Sequence, residues 1–133
     1  MCIRDRLDVV SLTPARILET RPGQPTVDGT AELGAPIPGD TFIEVQVTGR
    51  HGVPTDTGAA ILNVTAINPD GRGFITIYPC GDQPLASSLN YAEAGTVVAN
   101  EVITQLSPTG TVCAYASTTT HLAFDIAGYI AAG

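Results

Sequence analysis

Hydrophobic and polar residues alternate with a period of two along most of the chain. Residues 41–48 set Ile43, Val45 and Val47 on one face against Glu44, Gln46 and Thr48 on the other, the mark of a half-buried strand. Residues 59–67 repeat the pattern, with Ala60, Leu62, Val64 and Ala66 against Ile61, Asn63, Thr65 and Ile67. NPDGR at 68–72 follows, and then an apolar run at 74–78. Asn-Pro opens a turn and Asp-Gly supplies a positive φ, so this spacing predicts a hairpin between the two strands. Further strands are predicted at 15–20, 87–91, 97–106, 111–116 and 120–130, set apart by Pro14, RPG, EAG, SPTG and a Ser-Thr-Thr run. Residues 22–40 carry four prolines and read as a long turn-rich connection. No stretch carries the 3.6 period of a long helix. About eight regularly spaced strands predict an all-β fold, an antiparallel β-sandwich of jelly-roll-like character.

A length of 133 residues suits one hydrophobic core. The first six residues, MCIRDR, have basic groups without an apolar segment behind them. They read as a foreign header of the kind found on assembled environmental reading frames, leaving 7–133 as a single domain that a signal peptide or further domains would have preceded. All six basic residues are arginine, and the net charge is −7. That balance argues against nucleic acid and anionic lipid as partners. No apolar run reaches the roughly 18–20 residues of a membrane-spanning helix. The acids are scattered, and no cofactor or metal site is expected.

Cys80 and Cys113 are each expected in a strand, two positions from a tyrosine, Tyr78 and Tyr115. His51 and His121 form no zinc-ligand spacing with them. Nothing beside Cys80 supplies the base or electropositive setting of a nucleophile. A Cys80–Cys113 disulfide accounts for both residues, with two buried free thiols as the alternative. Oxidised pairs persist outside the cytosol, which points to an extracellular or cell-surface protein.

Several motifs occur in order: PARILETR (14–21), ILNVT (61–65) with Asn68-Pro69, GFITIYPCG (73–81), SLNY (88–91), GTVCAY (110–115) and THLAFDIAGY (120–129). Together they resemble a β-rich module of secreted and cell-surface proteins of actinobacteria, Chloroflexi and related environmental bacteria. The resemblance covers about residues 9–130 and departs at Glu19, where the pattern favours Asp. It implies an extracellular, disulfide-bearing, non-catalytic module without an established activity.

Arg16, Glu19 and Arg21 read as an ion-pair cluster pinning a strand, or as a patch recognising carboxylates and sugars. Asp125 reads as a structural acid that meets an arginine of the first strand. His121 and Asp125 with Ser87 or Ser88 could be imagined as a hydrolytic triad, but no Gly-x-Ser-x-Gly elbow is present. Asn63 opens an N-glycosylation sequon, yet in mid-strand it reads as a polar ladder position. The run 117–120, STTT, reads as a solvated loop or an O-glycosylation site. Of seven aromatic rings, core packing is expected to take most, with Tyr78 and Tyr115 the pair to watch as a ligand or interface site beside Arg16 and Arg21.

The first expectation is therefore a non-enzymatic structural or adhesive module that self-associates or binds cell-envelope polysaccharide. Its small-residue tail, 131–133, reads first as a plain linker or frayed terminus, with pairing to a neighbouring copy's open sheet edge as the alternative. The alternative is a carbohydrate-binding module appended to a secreted enzyme, which requires two or three exposed rings with Asn or Asp on one face.

Overall fold

Eight strands follow one another without an intervening helix in the computed structural model, which describes residues 9–131. They are β1 (Val9–Glu19), β2 (Thr41–Gln46), β3 (Thr57–Ile67), β4 (Gly73–Pro79), β5 (Leu89–Tyr91), β6 (Val97–Gln105), β7 (Thr111–Ala116) and β8 (His121–Ala131). Two four-stranded antiparallel sheets form, in the orders β1-β8-β3-β6 and β2-β7-β4-β5. Consecutive strands mostly fall in opposite sheets, and the first and last lie side by side. That order is the jelly roll.

The alternation seen in the sequence decides which residues fill the space between the sheets. Leu62, Val64 and Ala66 of β3 and Leu122, Phe124 and Ile126 of β8 meet Val112, Ala114 and Ala116 of β7 and Ile75 and Ile77 of β4. Leu89 and Tyr91 close the core at β5, and Ile17 and Leu18 at β1. Small alanines in β3 and β7 sit among branched aliphatic residues, which lets two sheets pack closely.

Three expectations are corrected. The 59–67 and 74–78 strands do not form a hairpin: β3 pairs with β6 and β8, whereas β4 pairs with β5 and β7. Residues 68–72 carry the chain from one sheet to the other, and Asn68, not Gly71, takes the positive φ there (54°). The first strand starts at Val9 and runs through Pro14, because β1 is an edge strand and its register breaks between Ser11 and Ala15. An edge or a bulge is where a strand tolerates the missing proline N–H. Finally, Cys80 lies one residue past the end of β4 rather than within it.

The proline-rich connection has a use. Val27 N–H donates to Arg16 O (2.8 Å), Glu19 N–H to Ala31 O (3.0 Å) and Leu33 N–H to Glu19 O (2.9 Å). It thereby occupies polar groups that an edge strand would otherwise leave open. Arg50 clamps the same segment, its fork donating to both oxygens of Asp28 at 2.7 and 2.8 Å. The MCIRDR header and the last two residues of the tail lie outside the described residues.

Candidate ligand-binding face

On β4 the core takes Ile75 and Ile77, so Phe74, Thr76 and Tyr78 point away from it. On β7 the core takes Val112, Ala114 and Ala116, which turns Cys113 and Tyr115 outward. β2 adds Phe42 opposite Tyr115 and Glu44 opposite Cys113, and β5 adds Asn90 opposite Phe74. Phe42 stands opposite Tyr115, and Phe74 lies diagonally across from it, two residues along β4 from Tyr115's direct partner Thr76, so the three rings form an oblique row across three neighbouring strands. The Phe74 and Tyr115 ring centroids are 5.9 Å apart. Phe42 is 59% exposed, while Phe74 and Tyr115 are half-buried.

The row is held in place by polar contacts. Tyr115 Oη donates to Asp40 Oδ1 at 2.7 Å, and this bond, with smaller contributions from desolvation and the Asp40 charge, raises the phenol's pKa above its ordinary 10.0. Phe74 N–H donates to Ser117 Oγ at 2.8 Å. Asn90 and Phe74 border a cleft of about 340 Å³, whose other side is the 83–87 segment, with Leu85 fully exposed. That segment is tied to β4 at its far end: Thr76 Oγ1 donates to Ala86 O (2.6 Å), and Ile77 N–H donates to Ser88 Oγ (2.9 Å).

The two cysteines form a disulfide on this outer face, with Cα atoms 4.9 Å apart. Tyr78 stands opposite Cys113 and is buried, and desolvation raises its pKa. It is thereby removed from any exposed surface, while Tyr115 remains on the face. Arg16 and Arg21 lie on the other sheet's side and are occupied. Arg16 Nη1 donates to Glu19 Oε1 at 2.5 Å and its Nε to Asp125 Oδ1 at 2.7 Å, and Arg21 donates to both oxygens of Glu19. Glu19 is fully buried. The cluster pins β1 to β8, and the arginine expected to meet Asp125 is Arg16.

The imagined triad is not assembled. His121 Nδ1 is 2.8 Å from Thr20 Oγ1 and Asp125 holds Arg16, while Ser87 and Ser88 precede β5 in the opposite sheet. Asn63 is exposed in mid-β3 between Glu101 and Asp125 of its neighbours, a ladder position as expected.

The 117–120 run is not a solvated loop. Besides the Ser117 contact, Thr119 Oγ1 accepts from Gly39 N–H (3.0 Å), and Thr118 Oγ1 meets the buried Tyr91 Oη (3.0 Å). Thr120 is buried. These hydroxyls lock the corner that ends the ring row, a role that composition alone did not reveal. Phe42 and Phe74 were likewise missed as site residues, although each shares its strand's polar face, where a ring has no core to fill.

Neither protein-family models nor curated proteins give any match to this chain.

Proposed function

We propose that this domain is a non-catalytic extracellular binding module that holds a carbohydrate chain on the outer face of the β2-β7-β4-β5 sheet. The observation that carries the reading is the row Phe42, Tyr115 and Phe74, which runs into a cleft bordered by Asn90. Three of the seven rings, Tyr78, Tyr91 and Phe124, are buried, and Tyr129 packs against the core. The other three gather on one face. Sugar rings present apolar C–H faces and polar rims, so they suit rings flanked by amide and carboxylate groups such as Asn90, Asp40 and Glu44. The disulfide is compatible with an extracellular setting.

The test is affinity electrophoresis through gels containing soluble polysaccharides, comparing the wild type with a Phe42→Ala/Tyr115→Ala variant. Retardation by at least one polysaccharide, lost in the variant, is the expected result. Passage of the wild type unretarded through a broad panel, or equal retardation of both proteins, overturns the reading.

A second reading, self-association into a fibre or surface array, has one observation in its favour. Edge strand β6 is nine residues long and exposes Val97 (67%) and Ile103 (61%). Such an edge is a template for strand addition. Light scattering across a concentration series separates the two: growth of ordered polymers abolished by Ile103→Lys supports assembly, and a monomer at all concentrations removes it.

A further inference from the structure

The cleft beside the ring row has its own chemistry. Among the described residues, no ionisable side chain lines it. Its apolar wall comes from Phe74, Pro84 and Leu85. Gln83, Ser87 and Asn90, all exposed, also line it. Two solvent-accessible amides and a hydroxyl beside an apolar wall match a neutral group with one donor, one acceptor and a small apolar end.

Resting on the carbohydrate reading, we propose that this cleft takes the acetamido group of an N-acetylhexosamine, so that the preferred ligand is an uncharged chain of such sugars. The acetamido methyl packs on Leu85 and Phe74, and its N–H and C=O pair with the amides of Asn90 and Gln83. The adjoining pyranose faces then lie over Phe74, Tyr115 and Phe42. A volume of about 340 Å³ lies within the range of small-ligand pockets and admits one substituted sugar residue. Among the described residues, Asp40 and Glu44 lie on the ring side of the cleft. They favour a neutral homopolymer over glycan strands that carry carboxylates on alternate residues.

The experiment is titration calorimetry with four oligosaccharides of matched length: N-acetylglucosamine, glucosamine and glucose oligomers, and alternating N-acetylglucosamine and N-acetylmuramic acid strands. The wild type is expected to bind the N-acetylglucosamine oligomer about tenfold or more tightly than the glucose one, the scale of one methyl burial plus one hydrogen bond. Asn90→Ala is expected to bring that ratio to within about twofold by weakening the N-acetylglucosamine oligomer more than the glucose one. Equal, ring-dependent binding of acetylated and unacetylated oligomers overturns this inference and leaves the carbohydrate reading standing. Absence of binding to all four overturns this inference, and the carbohydrate reading falls with it only if the broad polysaccharide panel also fails to retard the wild type. Tighter binding of the muramic strands overturns the choice of a neutral chain.

Discussion

Arg16 joins two carboxylates from opposite ends of the chain: Glu19 three residues away and Asp125 on β8, 109 residues away. Glu19 is fully buried, while the Arg16 and Arg21 side chains that reach it are 32% and 37% exposed. Removing the buried acid takes away Arg21's carboxylate partner and leaves Arg16 with Asp125 alone, while the partial exposure of both arginines lets water recover part of the loss. Glu19→Gln is therefore expected to cost about 2–3 kcal/mol, and Asp125→Asn about 1 kcal/mol. Urea titration checks both, with the midpoint falling at unchanged slope.

The same pairs set an acid limit. Burial raises the Glu19 carboxyl's pKa, but hydrogen bonds from Arg21 and Arg16 outweigh it and hold the group below its ordinary 4.5. The Arg50 fork holds Asp28 well below 3.8. Both folded-state values lie below the unfolded ones, so the stability they contribute is present above the unfolded values and is lost as pH falls through the depressed ones. Thermal melts are expected to hold steady between about pH 6 and 7 and to drop progressively below about pH 4.5. A Glu19→Gln/Asp28→Asn variant should start lower and show a flatter acid limb. Identical acid limbs in both proteins would exclude these two groups as the cause.

The strands were legible because their polar and apolar residues alternate, and because Gly, Pro and Asn-Pro punctuate them. Their partners were less so. The 68–72 turn carries the chemistry of a reversal, and a reversal within one sheet or across to the other needs the same residues. Only the core demands of β3 and β4, Leu62 and Val64 against Ile75 and Ile77, place them in facing layers. The ring row was hidden for a related reason. Phe42, Phe74 and Tyr115 come from three strands separated in sequence, and only the strand register sets Phe42 opposite Tyr115 and Phe74 diagonal to it. The ion-pair cluster was legible because Arg16, Glu19 and Arg21 are local to one another.

The disulfide closes a loop over a sequence separation of 33 residues on the outer face of the ring-bearing sheet. In the chain-entropy model its removal costs about 3–4 kcal/mol. A Cys80→Ser/Cys113→Ser variant, or the wild type in reductant, is expected to lose that much stability in urea titration while keeping a folded baseline at neutral pH. Mass analysis of a protease digest under non-reducing conditions should recover the two segments as one linked peptide. Free thiols at both positions in protein from an oxidising compartment would contradict the pairing.

Gly73 begins β4 where the corner is tightest. A Cβ there would lie 2.5 Å from Thr118 Oγ1, 2.6 Å from Ser117 Oγ and 2.9 Å from the Tyr91 ring. Ser117 and Thr118 are committed to Phe74 N–H and Tyr91 Oη, so neither can yield without breaking a bond. Gly73→Ala is expected to cost about 1–3 kcal/mol by overpacking. Gly71→Ala, two residues earlier with open space around it, serves as the control and should be near neutral. A neutral Gly73→Ala would mean that the corner relaxes, and the fluorescence of nearby Tyr91 should then shift.

Tyr115→Phe separates the ring from its anchor. The ring still faces Phe42 and Phe74, but the hydroxyl that donates to Asp40 Oδ1 at 2.7 Å is gone. Asp40 lies on an exposed turn and holds a positive φ of 62°, so water replaces the lost partner at little cost to the fold. The melting temperature is expected to stay within the range of surface substitutions, about 0.5 kcal/mol in stability. Binding should suffer more, because a ring that has lost its anchor pays part of an ordering cost of about 0.5–1.5 kcal/mol when a ligand settles on it. The expected result is a fewfold weaker affinity for any polysaccharide that retards the wild type, with Tyr115→Ala weaker still. If Tyr115→Phe and the wild type bind alike while Tyr115→Ala fails, the ring alone matters and Asp40 takes no part in setting it.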